Sequence, residues 1–287
     1  MNLQNLKIKS FRDNKIAGKT LFTMNLALWF ASAQNKRVLY ISLADQTEVD
    51  FITRCESIIS GCTFAEAYRD IRKSYEDLVR MVGSNLEISI NSAGNVTAQQ
   101  IVDLARERDA DVVIVDYDGC IKNSENRKAD DSMYNVFGDV YNKMTELSLE
   151  DRRLVIMCSQ LKSTSNQGGN LITLNDLAES SKKGQVADGC ICLSKISGES
   201  PNQVFNIRFT KCRRGKLASG FFARIQARFI EIPRGLAEQL CAEMEDRDYT
   251  EQQIISMAQR YKQSEQTVQQ ALKQQEQQRR QHDNPFS

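Results

Sequence analysis

A chain of 287 residues has room for one large domain and a small appendage, and 41% hydrophobic with 26% charged residues is ordinary for a globular protein. A net charge of +1 excludes a whole-chain field that attracts nucleic acid, so any such binding needs a local patch. The eight cysteines form no C-x-x-C pair, which speaks against zinc, and the single histidine, His282, leaves little scope for histidine catalysis.

No signal peptide is evident, and Leu21 to Ala33 is too short and too mixed to cross a membrane. A cytoplasmic α/β protein is the expectation. In chain order, residues 6 to 12 predict an edge strand entering a loop. From Thr20, the spacing of Leu21, Met24, Leu28 and Ala31 predicts a helix. RVLYISL, residues 37 to 43, predicts a buried strand, and a helix follows through Val49, Ile52 and Ile59 to Gly61. Residues 64 to 82 read as helix, LEISI at 86 to 90 as strand, and 97 to 108 as helix. Asp111 to Val115 reads as strand, 132 to 149 as a long helix, and Leu154 to Ser159 and Gly189 to Ser194 as strands. Residues 203 to 210 and 221 to 232 read as a closing hairpin. Strands alternating with helices predict a mostly parallel sheet covered on both faces, with ligands beyond its carboxyl ends.

The stretch DNKIAGKTLFTMNLALWF, residues 13 to 30, lies at such an end. Gly18, Lys19 and Thr20 match the close of the Walker A pattern G-x-x-x-x-G-K-[ST]. Its first glycine is replaced by Asp13, a residue that tolerates left-handed backbone better than most. Lys19 reaches terminal phosphates, Thr20 offers a hydroxyl to Mg²⁺, and the helix start supplies N–H groups. Ala17, Gly18, Lys19, Thr20 and Leu21 form the expected nucleotide contact. The strand VVIVD, residues 112 to 116, ends on Asp116 in the Walker B manner, the second metal-holding group.

Six motifs in order resemble the RecA-type ATPase core of DnaB-like replicative helicases, particularly short phage-type members. They are AGKTLFTMNLALWFA, VLYISLADQTEVDFITR, LEISI through VVIVDYDGCI, RRLVIMCSQL, LNDLAESSKKGQVADGCICL and IRFTKCRRGKLASG, spanning roughly residues 10 to 232. The resemblance implies a RecA-like P-loop fold over 1 to 233, with ATP and Mg²⁺ as cofactors. It implies phosphate and metal binding by Lys19, Thr20 and Asp116, and γ-phosphate sensing by Gln160. Lys211 and Arg213 become a trans-acting lysine and arginine finger, serving a neighbouring subunit in a hexameric ring. Besides Asp13, two residues depart from the family pattern. Ala44 stands where the family has the glutamate that activates water, with Asp45 and Glu48 the nearest carboxylates, and Ala178 replaces the arginine of Asp-Leu-x-Glu-Ser.

In the family the loop after Ser-Gln faces single-stranded DNA. Here it is residues 162 to 176, where Lys162 is the candidate backbone contact, with Lys182 and Lys183 as a second. With only about ten residues before the loop, the expectation is an ATPase core without the amino-terminal domain and linker helix of larger members. Primase or single-strand binding protein are the replisome partners implied.

Residues 234 to 287 read as a glutamine-rich helical extension. Thr250 and Gln253 fit a capping box, and Ser264 fits the start of a second helix in a helix-turn-helix-like pair. Residues 245 to 287 carry six basic against seven acidic residues, which favours docking on protein over DNA. Two functional readings stand at this point. One is an ATP-dependent helicase that translocates on single strands. The other is a RecA-fold ATP-binding accessory, loader or recombination factor with weak or lost hydrolysis.

Overall fold

The computed structural model describes residues 6–10, 18–43, 46–122, 133–160, 182–197, 202–243 and 248–282. Strand β1 (Leu6–Ser10) precedes helix α1 (Lys19–Ser32). β2 (Val38–Ser42) and the helices α2 (Glu48–Ser60), α3 (Phe64–Arg69) and α4 (Ile71–Val82) follow. Next come β3 (Leu86–Ile90), α5 (Ala98–Glu107), β4 (Val112–Asp116), a 3-10 turn at Asp118–Cys120, α6 (Met133–Leu149) and β5 (Leu154–Gln160). α7 (Lys182–Val186) leads into β6 (Gly189–Ser197), β7 (Gln203–Cys212), β8 (Ser219–Ile225) and β9 (Arg228–Ile232), and α8 (Arg234–Glu243) and α9 (Glu251–His282) are the last elements.

The strands form one sheet in the order β3-β2-β4-β5-β1-β6-β7-β8-β9. The first six are mutually parallel, and β7 to β9 continue the sheet antiparallel. β2 and β4 are buried along their whole length, as β-branched runs covered on both faces must be. Alternation splits their side chains between two cores. Tyr40, Ile114 and Ile156 pack under α1 with Met24 and Leu28. Leu39, Ile41, Val113, Val115 and Met157 pack under α5 and α6 with Ile101, Tyr141 and Met144. The carboxyl ends of the parallel strands, Ser42, Asp116 and Gln160 among them, therefore lie along one side of the sheet beside the start of α1.

Four expectations need correcting. β1 is a central strand between β5 and β6 rather than an edge. Its alternation, LKIKS, suggested a half-solvated strand, but the crossovers place it in the middle. Residues 64 to 82 split at Asp70, whose backbone (φ −130°, ψ 67°) leaves the helix and whose side chain accepts from the Lys73 N–H to cap α4. Residues 221 to 232 are two strands, β8 and β9, turning at Gln226 with φ +53°. Towards the carboxyl end no second helix begins at Ser264: α9 runs unbroken through it. The Thr250–Gln253 capping box does form, with Gln253 N donating to Thr250 Oγ1 at 3.3 Å and Thr250 N to Gln253 Oε1 at 2.8 Å. α8 and α9 bury Leu236, Leu240, Ile254 and Ala258 against Val204, Ala223 and Ile225 of the antiparallel strands.

Candidate nucleotide site

Gly18 N-caps α1 at φ +76°, ψ −4°, a left-handed conformation that favours glycine. A Cβ there would stand 3.3 Å from the Phe205 ring, so space disfavours a side chain as well. The Gly18 carbonyl accepts from Phe22 N–H at 2.8 Å and starts the helix. No side chain among the described residues caps α1, and its first turn holds no acidic residue. A helix start of this kind suits an anion, through its first N–H groups and the helix dipole. Lys19 lies beside this end with its ammonium 5.8 Å from the centre of the Tyr117 ring.

Tyr117 follows Asp116, so the lysine and the end of β4 meet. Asp116 is 2% exposed. Its Oδ2 accepts from the Tyr40 hydroxyl at 3.0 Å. That hydroxyl, its own proton on Asp116, accepts from Thr23 Oγ1 at 3.0 Å, and the single Thr23 proton is shared with the carbonyls of Lys19 and Thr20, each also at 3.0 Å. A chain of hydrogen bonds thus runs from the first turn of α1 to the Asp116 carboxylate at the end of β4. Burial, then the charge of Asp116, pushes the Tyr40 hydroxyl well above the usual tyrosine value, so it stays a donor. Burial does the same to the Cys158 thiol, which lies 3.9 Å from Thr23 Oγ1.

The donor set fits a nucleotide's phosphates and a magnesium ion: uncapped helix N–H groups, a lysine, a threonine at the helix start and a held carboxylate. Gln160 ends β5 exposed, two residues past the level at which β5 flanks Asp116. Ser42 is paired with Asp116 across β2 and β4, and its hydroxyl donates to Gln46 Oε1 at 3.3 Å. Gln46 is 7% exposed, and its Nε2 has no partner among the described residues. A glutamine can hold water but cannot take its proton. Glu48 is exposed in the first turn of α2. Asp13, Ala17, Ala44, Asp45, Lys162 and Ala178 lie outside the described residues.

A family model described as DnaB-like helicase C terminal domain matches residues 13–230. The chain belongs to that family. Among solved structures, one described as the ATPase domain of a single named protein superposes with a TM-score of 0.67 at 21% identity, over 81% of this chain and 86% of that one. "The Structure Of A DnaB-Like Replicative Helicase And Its Interactions With Primase" gives 0.65 at 22% identity, over 80% of this chain. The chain spans 57% of the length of that relative. At these identities the likeness establishes the RecA-like fold. No curated protein sequence matches.

The two basic groups expected as fingers lie far from this site. Lys211 pairs with Cys190 near the start of β6, and Gly189 of β6 is level with Leu6 of β1. They therefore sit at the amino end of the parallel strands, opposite the start of α1. Lys211 Nζ donates to the carbonyls of Gly184 and Gln185, both at 2.9 Å. Arg213 donates to Gln185 O at 2.8 Å and pairs with Asp188 at 3.0 Å. Partial burial, with Arg213 beside it, holds the Lys211 ammonium below the usual lysine value.

The expected DNA contact at Lys183 is corrected. Its side chain is fully buried, with Nζ 3.0 Å from Asp118 Oδ2 and 3.3 Å from Ser159 Oγ. An ammonium in that pair faces no solvent and no phosphate. Of Lys182, only the backbone at the start of α7 is described. Sequence reasoning missed Thr23, Tyr40, Asp118 and Tyr141. Tyr40 had a signal: it lies two residues before Ser42 on a strand whose alternation turns both toward α1.

Proposed function

We propose that this chain is the motor core of an ATP-dependent DNA helicase of the DnaB type, acting on single-stranded DNA. The observation that carries the reading is the chain of hydrogen bonds Thr20–Thr23–Tyr40–Asp116, with Lys19 over Tyr117, at the uncapped start of α1. ATP with Mg²⁺ supplies the transferable phosphoryl group. Lys19 and the α1 N–H groups hold its terminal phosphates, and the Thr20 hydroxyl and Asp116 hold the metal's shell. Tyr40 fixes the carboxylate. Gln160 senses the γ-phosphate at the strand end nearest Asp116. Lys211 and Arg213, at the far end of the sheet, cannot reach their own site and serve a neighbour's, which fits a homo-oligomeric ring. Single-stranded DNA meets the loop that holds Lys162, and primase or single-strand binding protein are candidate partners. A cytoplasmic site of action belongs to this reading. Among the described residues no helix is long and apolar enough to cross a membrane.

A second reading is favoured by Ala44: an ATP-dependent switch, loader or recombination factor in which hydrolysis is slow. ATP hydrolysis by the purified chain, with and without a poly-dT oligonucleotide, separates the two. DNA-stimulated turnover that Lys19→Ala abolishes supports the motor. ATP binding without turnover supports the switch, and no binding at all rejects both.

A further inference from the structure

Lys183, Asp118, Tyr141 and Ser159 form a buried polar cluster that nucleotide binding does not use. Lys183 and Asp118 are 0% and 1% exposed. Asp118 Oδ2 accepts from both Lys183 and the Tyr141 hydroxyl, and Lys183 also reaches Ser159 Oγ. The cluster joins three segments with separate jobs in the proposed motor. Asp118 is two residues past the metal-holding Asp116. Ser159 is beside Gln160 at the end of β5. Lys183 is on α7, which follows Lys162 by some twenty residues in the sequence.

α7 is short, and its carbonyls do the remaining work. Lys211 and Arg213 both donate to Gly184 or Gln185, and the Arg213 N–H bonds Asp188 O at 2.9 Å. One turn of helix therefore has its lysine tied to the nucleotide end of the sheet, while its last carbonyls seat the two basic groups at the opposite end. Burying an ammonium–carboxylate pair rarely gains stability over an apolar pair of the same size. Its value here lies in fixing where α7 stands, because a buried charge tolerates only the depth at which its partners meet it.

We propose that Lys183 is a positioning residue: its buried pairing with Asp118 sets α7 so that Lys211 and Arg213 are presented to the neighbouring subunit. This rests on the helicase reading. The finger does not move relative to β4 and β5 while the pair holds, so the state of one nucleotide site is passed to the next.

The test uses Lys183→Met, and Lys183→Met/Asp118→Asn, which leaves no buried unpaired charge and keeps an acceptor for Tyr141. Turnover is measured with ATP and poly-dT, and nucleotide affinity with a fluorescent ATP analogue. The expected result is at least a tenfold loss of DNA-stimulated kcat, with nucleotide affinity within about twofold of wild type. Mixing either variant with Lys19→Ala subunits, whose fingers are intact, should then restore turnover above the sum of the two alone. Lost activity that such mixing does not restore, or unchanged turnover in the double variant, overturns the positioning role. Wild-type protein that does not hydrolyse ATP, whether or not it binds it, overturns the helicase reading itself, and the positioning role with it.

Discussion

At Gly18 two constraints coincide: a left-handed φ of +76° and a ring atom 3.3 Å from where a Cβ would sit. Alanine in that conformation costs roughly 1–2 kcal/mol in strain alone, and Phe205 would also have to shift. Gly18→Ala should therefore lower the thermal midpoint by several degrees and weaken stabilisation by added ATP with Mg²⁺. Differential scanning fluorimetry with and without nucleotide checks both, and an unshifted midpoint would show that the loop can close another way. GKT was legible in the sequence, as was the aspartate at the end of VVIVD. Tyr40 was legible only as a core residue. Its hydroxyl acquires a role because Asp116 lies one strand away on β4. Lys183 was misread for the same reason in reverse. A lysine in a polar stretch looks solvated until the fold places the distant Asp118 beside it.

Elements whose packing is continuous were readable from their own residues. β2, β4 and β5 announce themselves as apolar runs because both faces are covered. α2 closes at Gly61, where φ is +77°. The split at Asp70 and the turn at Gln226 were not readable, since neither uses glycine or proline. α9 is held to the sheet at its start. Arg228 on β9 pairs with Glu251 at 2.8 Å and donates to the Ile58 carbonyl at 2.7 Å, so it ties the end of α2 to the start of α9. Thr250 caps that same start. Thr250→Ala should cost about 1 kcal/mol. Hydrogen exchange should report the loss first in the opening turns of α9. Protection lost equally throughout the chain would mean instead that α9 unfolds only with the core.

For the whole molecule, the decisive feature is the separation of Lys211 and Arg213 from the start of α1 by the length of the parallel strands. In the proposed motor, a finger formed by Lys211 and Arg213 at one end and a phosphate site at the other make a single chain incomplete. Sedimentation of the 32.6 kDa chain should accordingly shift toward about six times that mass when ATP, Mg²⁺ and poly-dT are present. A monomer under those conditions would reject the ring.

The sequence by itself determined the alternating α/β class, the helix that starts after Gly18, the buried strand that ends on Asp116 and the family, because each is written in local pattern or in the order of motifs. Tertiary structure alone decided that β1 is central, that Tyr40 holds Asp116, that Lys211 and Arg213 lie opposite the start of α1, and that Lys183 is buried. Strand order, the partner of a buried charge and the far end of a sheet are relations between distant segments. Periodicity within a window records which face of an element is covered, and it holds no record of what covers it.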